Sequence, residues 1–185
     1  MSSRALSFGV MADAYERFRP GYPVELFDMV MTYAGRPVRT ALEIGAGTGK
    51  ATRLFAQRGV TVTATEPDGA MLAELHKYVP ANVKTVQAAF EDLRPGESYG
   101  LVYAAGALHW TNPEGRWSRM AALLEPGGAF ASLAPGTAGD LTSRRHLCLG
   151  QSRTTADLAE LNGVRLSGVR LLAEQRRALS YRGQN

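Results

Sequence analysis

The chain has 185 residues, 45% of them apolar, with a formal charge of +4; these values describe one globular domain with a substantial core and exclude a disordered chain. Its one cysteine, Cys148, excludes an intramolecular disulfide and a cysteine-based zinc site, no metal site is expected, and a lone thiol fits a reducing cytoplasm. Residues 1–137 hold 13 Lys and Arg against 13 Asp and Glu, whereas residues 138–185 hold 8 Arg, no Lys and 4 acids, so the basic excess belongs to the tail and argues against a nucleic-acid-binding body.

The opening "MSSRALSFGVMADAYERF" carries early charges and no continuous apolar run, so it does not read as a signal peptide. No stretch approaches the roughly 20 apolar residues of a membrane span, and a cytoplasmic location without membrane partners is expected. "DAYERFRPGYPVELFDMVMTYA" (13–34) gives an arm, a Pro-Gly-Tyr-Pro turn and an amphipathic helix. "VRTALEIG" (38–45) reads as a buried strand and "KATRLFAQRG" (50–59) as a helix closed by Gly59. "VTVTATEP" (60–67) is a second strand, rich in β-branched residues. "DGAMLAELHKYV" (68–79) is a helix that Asp68 caps. Strands at 82–90 and 99–108, a helix at 112–128 with Pro113 near its start, and a strand at 129–135 follow. This alternation predicts an α/β fold: an open, mostly parallel sheet of at least five strands with flanking helices. Ligands of such sheets bind outside the carboxyl ends of the strands, near the switch point.

"LEIGAGTGKAT" (42–52) ends the first strand there. A phosphate-binding P-loop fails at both anchors, because Ile44 stands at its first glycine position and Ala51 follows Lys50. A dinucleotide fingerprint fails at its third glycine, where Lys50 stands. The glycines are instead Gly45, Gly47 and Gly49, alternate positions that let the backbone approach a ligand and adopt positive φ. Taken alone, the loop also reads as an ordinary glycine-rich turn. Glu66, 21 residues after Gly45, ends the second strand where an acid accepts from ribose hydroxyls; alone it reads as a solvated charge. "AAFEDL" ends the third strand. There Phe90 lies against a base with Glu91 or Asp92 accepting from an exocyclic amine, or Phe90 is core and the acids begin a short helix.

In this order the motifs resemble those of class I methyltransferases that depend on S-adenosylmethionine (SAM), over roughly residues 12 to 135. "YERFRPGYP" and "AAGALHWTNP" are similar to a small-molecule branch that includes trans-aconitate methyltransferase-like proteins. The resemblance implies a Rossmann-like fold and a SAM site. Gly45, Gly47 and Gly49 would lie beneath the methionine moiety, with Glu43 and Ala46 in the same motif. Glu66 would hold the ribose, with Pro67 beside it, and Phe90 and Glu91 the adenine. Ala105 and Gly106 would line the methyl-donor region, and Tyr15 and Arg19 of the arm would close over the cofactor.

The acceptor belongs after the fourth strand, at "ALHWTNP" (107–113). His109 is the candidate base or hydrogen-bond donor, against the alternative of a histidine bonding a loop carbonyl. Trp110 walls the acceptor, sits near the sulfonium by cation–π attraction, or simply packs in the core. Arg19 grips a substrate or SAM carboxylate bidentately, or is a surface arginine before a proline turn. Trp117 and Met120 fall at helical spacing and are expected in the core, and His76 on a polar helix face. A carboxylate acceptor would need no base.

After about residue 137 the family pattern stops. The fold of the family continues with another helix and two strands, the last antiparallel, but the arginine-only tail shows no buried central strand, only a short helix at 155–163 and a strand or helix at 169–179. The expected organisation is a SAM-binding domain at 1–137 and an atypical tail at 138–185, with the C-terminal strands incomplete; with the last strands missing, the fifth strand would keep an unpaired edge unless a second chain paired with it. The tail reads as a shifted frame, a truncation or a divergent extension. The expected function is methyl transfer from SAM to a small molecule, a carboxylic acid among the candidates, in a monomer or weak homodimer. The alternatives are a SAM-binding protein impaired by its tail and, on the arginines alone, a nucleic-acid methyltransferase; no N-P-P-[YF] acceptor motif follows strand four.

Overall fold

Alternate residues of the central strands send their side chains to two different cores, each covered by helices. The computed structural model describes residues 12–18, 21–94, 96–133 and 147–151. Helices α1 (Ala12–Phe18) and α2 (Val24–Ala34) precede β1 (Thr40–Ile44), α3 (Lys50–Ala56), β2 (Thr61–Thr65) and α4 (Gly69–His76). Then come β3 (Val83–Val86), β4 (Tyr99–Ala105), α5 (Arg116–Ala122), β5 (Leu124–Leu133) and β6 (Leu147–Gln151).

The sheet order is β3-β2-β1-β4-β5-β6. The first five strands pair in parallel and β6 runs antiparallel to β5, with Leu133 opposite Leu147. Parallel strands joined by helices make this a Rossmann-like sheet. The chain winds outward from β1 through β2 to β3, then returns to β4 on the other side of β1. The loops after β1 and β4 therefore diverge, opening a crevice at the switch point.

Along β4, Leu101 and Tyr103 face a core with α2 and α3, while Val102 and Ala104 face one with α5. In the first core, Phe55 stacks on Tyr103 at 4.4 Å and meets Phe27 edge-on at 5.4 Å; each buried ring contributes about 2 kcal/mol. α2 buries Leu26, Val30 and Ala34, one stripe at i, i+4, i+8, and ends at Gly35 in the left-handed region. In the second core, Met120 is buried and Trp117 meets Phe130 edge-on at 5.6 Å, as the spacing predicts.

Asp68 caps α4 by accepting from the amides of Ala70 and Met71 at 2.9 and 3.3 Å, worth about 1 kcal/mol. Three boundaries differ from expectation. The helix predicted at 112–128 shrinks to α5, because residues 112–115 form a turn: Asn112 Oδ1 accepts from the Glu114 amide at 3.0 Å, and Gly115 takes positive φ. Pro126 then ends any helix, and Leu124–Gly128 enters β5 through a register shift opposite Tyr99 and Leu101. β3 stops at Val86, beyond which Phe90–Asp92 forms a 3-10 turn.

The edge of β5 that would stand unpaired without further strands is paired. β6, whose sequence "LCLGQ" mixes apolar residues with glycine and gives no strong periodic signal, lies beyond the boundary expected at 137 and covers that edge. The helix expected at 155–163 and the segment at 169–179 lie outside the described residues. Among the described residues no helix is long and apolar enough to cross a membrane.

Candidate functional site

The glycine loop is held from below by the sheet. Its amides bond in sequence: Ala46 donates to the Thr65 carbonyl at 2.9 Å and Gly49 to the Ala46 carbonyl at 2.9 Å. Gly45, Gly47 and Gly49 have φ of 66°, 58° and 83°, a region costly to any residue with a Cβ. The three glycines serve different ends. A Cβ on Gly45 would lie 2.5 Å from the Cβ of Ala107, and one on Gly49 2.8 Å from Cγ of Leu75; these two let the loop pack. A Cβ on Gly47 would meet nothing within 4 Å, so Gly47 alone leaves its surface open to the crevice.

Glu66 fastens the loop. Its Oε2 accepts from the Gly47 amide at 2.8 Å and its Oε1 from the Asp68 amide at 3.0 Å. Burial pushes its carboxyl up, against the pull of those two amides, and the charge of Asp68 adds to the rise. Each oxygen keeps a second lone pair. Pro67 follows, half-buried, and its carbonyl accepts from Gln87 at 3.3 Å.

Glu43 lies beneath, fully buried. Its Oε2 accepts from the hydroxyls of Thr52 at 2.6 Å and Tyr103 at 2.9 Å, while Oε1 has no partner. Burial pushes its carboxyl up to about 7, opposed by Thr52 and Tyr103 and reinforced by Glu66. Oε2 thus ties β1 to α3 and β4 beneath the loop.

The arm reaches the loop through a residue that sequence reasoning missed. Glu16 on α1 accepts from Arg53 at 2.7 Å and pairs with Lys50 at 3.3 Å, and Lys50 also donates to the Glu16 carbonyl at 2.6 Å. Burial opposes the charge on Glu16, but the Thr48 hydroxyl, Arg53 and Lys50 outweigh it and hold its carboxyl below the usual range. A signal existed: Lys50 is a cation at the first position of a helix with no acid in its first turn, an end that favours anions. Tyr15 lies within α1, and Arg19 lies outside the described residues.

On the other wall, Ala105 ends β4, and Gly106 turns at φ 68° while donating to the Leu133 carbonyl at 2.7 Å. Residues Leu108–Trp110 form a 3-10 turn that presents an exposed His109, its ring 4.6 Å from a half-buried Trp110. Phe90 is 2% exposed and its ring packs in the second core, with the Arg119 guanidinium 5.9 Å away. Its ring thus has the packing of the core alternative. The Glu91 carboxylate turns to the segment after β4, with Oε1 accepting from the Asn112 amide at 2.7 Å. The structure thus brings Glu66 against Gly47 and Ala107 against Gly45, so the glycine loop and the start of the segment after β4 lie together at the carboxyl ends of β1 and β4. A separate cavity of about 250 Å³, lined by Thr63, Thr65, Val86, Leu93 and Tyr99 among others, lies against the sheet face opposite α3.

The crevice fits a nucleoside cofactor on its own evidence: an open cradle at Gly47 beside a buried carboxylate with spare acceptor capacity. Comparison with known proteins agrees. Residues 41–128 match the methyltransferase domain family. An uncharacterized methyltransferase of Mycobacterium tuberculosis is 40% identical over 124 residues, covering 67% of this chain and 50% of that protein. The trans-aconitate 2-methyltransferase of Delftia acidovorans is 35% identical over 136 residues, 71% of this chain and 49% of that one. The solved structure of a type II methyltransferase homologue from Anaeromyxobacter dehalogenans superposes with a TM-score of 0.56 at 31% identity, over 65% of this chain and 50% of that one. The chain spans about half the length of the curated relatives it matches.

Proposed function

The chain belongs to the class I SAM-dependent methyltransferases, and from that premise we propose that it binds SAM in the crevice above Gly47 and transfers the methyl group to a small-molecule acceptor. The observation that carries the reading is the pairing of Gly47 with Glu66. One glycine leaves open backbone, and the carboxylate bonded to its amide at 2.8 Å retains the lone pairs that ribose hydroxyls require.

When bound, SAM supplies a methyl group on a sulfonium, already activated toward a nucleophile. The protein's share is binding, alignment and exclusion of water. Glu66 would accept from the ribose, while the loop from Gly45 to Gly49 holds the methionine portion. Ala105 and Gly106 border the methyl-donor region. The turn at Phe90–Asp92 would border the adenine through its backbone. His109 would hold or take a proton at the acceptor, with Trp110 as a wall. A carboxylate acceptor is the favoured class, on the likeness to trans-aconitate 2-methyltransferase; its oxygen is ionised at neutral pH, so His109 would donate a hydrogen bond and abstract nothing.

Isothermal titration with SAM tests the first half, with micromolar binding expected; no heat at millimolar SAM rejects it. Release of S-adenosylhomocysteine across a panel of mono-, di- and tricarboxylates including trans-aconitate tests the second half. Turnover only with amine or phenol acceptors rejects the carboxylate class.

A further inference from the structure

One peptide group after β4 is gripped from both sides by charge. The amide of Asn112 donates to Glu91 Oε1 at 2.7 Å, and the carbonyl of the same peptide, on Thr111, accepts from the Arg116 guanidinium at 2.5 Å. Glu91 arrives from the turn that ends β3, 21 residues earlier in the chain, and Arg116 from the first residue of α5.

The two side chains are held for this task at a cost. Glu91 Oε2 and Arg116 Nε are both buried and without a hydrogen-bond partner, an arrangement native proteins retain where something else is gained. Desolvation lowers the Arg116 pKa, and the nearby charge of Glu91 works against that fall. Arg119, one turn further along α5, donates to the Leu93 carbonyl at 3.4 Å, so α5 and the β3–β4 connection meet a second time.

The peptide fixes what precedes it. Thr111 is 5% exposed and donates from both its amide and its hydroxyl to the Leu108 carbonyl, at 3.2 and 2.8 Å. Trp110 in turn donates from its amide to the Ala107 carbonyl at 3.0 Å, and Ala107 is the residue that Gly45 must be a glycine to accommodate. Clamping peptide 111–112 therefore sets where His109 and Trp110 stand relative to the glycine loop.

We propose that Glu91 and Arg116 are positioning residues that hold the Thr111–Asn112 peptide between them and so fix the acceptor wall carrying His109 and Trp110. Glu91 thus serves the acceptor side of the crevice, and cofactor affinity does not depend on its carboxylate. The inference rests on the reading that this wall faces the acceptor.

The test uses the full chain and four variants: Glu91→Ala, Glu91→Gln, Arg116→Ala and Arg116→Lys. Hydrogen–deuterium exchange of peptides covering 107–113 reads the clamp directly and needs no substrate. Loss of one charge-assisted bond is expected to speed exchange there about tenfold in the Ala variants, with partial rescue in Gln and Lys and unchanged protection in β1 and β4. SAM affinity by titration is expected to stay within about threefold of the parent. With trans-aconitate as probe acceptor, KM is expected to rise about tenfold with a smaller fall in kcat. Unchanged exchange at 107–113 in both Ala variants overturns the clamp. A tenfold loss of SAM affinity in Glu91→Ala with exchange unchanged overturns it too, and assigns Glu91 to the adenine. Absence of turnover in the parent rejects the proposed acceptor chemistry, while the exchange data still decide the clamp.

Discussion

Glu16 on α1 and Arg53 on α3 meet at 2.7 Å, their side chains only 13% and 20% exposed, and this contact joins the N-terminal arm to the helix that leaves the glycine loop. A pair this enclosed, shared with Lys50, contributes more than the near-zero value of a surface ion pair, on the order of 1 kcal/mol. Glu16→Ala is therefore expected to loosen the arm without unfolding the sheet. Trypsin should cut more quickly after Arg17, and SAM affinity should fall about tenfold, more so at low salt than at high. Unchanged cleavage and affinity would separate the arm from the cofactor.

The glycines at 47 and 49 should respond differently to alanine. Gly47→Ala places a methyl in open crevice, so its cost to stability is the backbone strain of positive φ, about 1 kcal/mol. Its cost to SAM binding should be larger, at least about tenfold. Gly49→Ala drives a Cβ to 2.8 Å from Leu75 and 3.3 Å from Val79, adding about 1–3 kcal/mol of overpacking to the strain. Thermal melts and SAM titrations on the two proteins distinguish these patterns; equal melting temperatures would refute them.

Glu43 makes stability depend on pH in a stated direction. Burial raises its carboxyl to about 7 from a reference of 4.5, so the folded state holds a proton that the unfolded state has released. Its contribution is full below pH 4.5 and is lost as pH rises through about 7. Oε1, the oxygen without a partner, is the place for that proton. Glu43→Gln keeps acceptors for Thr52 and Tyr103 and should remove this slope, up to roughly 3 kcal/mol between the two limits. Denaturant midpoints from pH 5 to pH 8 check it; parallel curves for parent and variant would place the titration elsewhere.

Glu66→Gln tests the loop's fastening. An amide in place of the carboxylate keeps one acceptor and turns a donor toward one of the amides of Gly47 and Asp68. SAM affinity should fall between about tenfold and a hundredfold, with a melting temperature reduced by a few degrees. Glu66→Asp, which retracts the charge, should bind SAM with intermediate strength.

Much of the sheet was legible because β-branched runs and capped helices repeat at parallel-sheet spacing: β2 and the Asp68 cap of α4 fell close to their predicted places. The glycine loop was legible because its backbone takes positive φ at Gly45, Gly47 and Gly49, which selects glycine. Residues acting across long separations were not. Glu16 and Arg116 look like ordinary surface charges in sequence, and only the fold brings them to Arg53 and to the Thr111 carbonyl. Phe90 stayed ambiguous in sequence, because an aromatic at a strand end serves a ligand or a core equally well in one dimension; the fold buries it in the second core. β5 began earlier than expected because Pro126 and Gly127, strong breakers in a linear reading, are accommodated in a bulge.

The pairing of β1 with β4 has a consequence for how the protein acquires its crevice. These strands align residues about 60 apart, as in the Tyr103–Glu43 contact, whereas β1 and β2 align residues about 20 apart. Closing the longer loop carries the greater entropic cost, so this pairing should come late in folding. The wall bearing Gly106 meets the glycine loop only then. SAM would bind the finished chain and nothing earlier, which makes its binding in a stopped-flow refolding experiment a clock for the last long-range step.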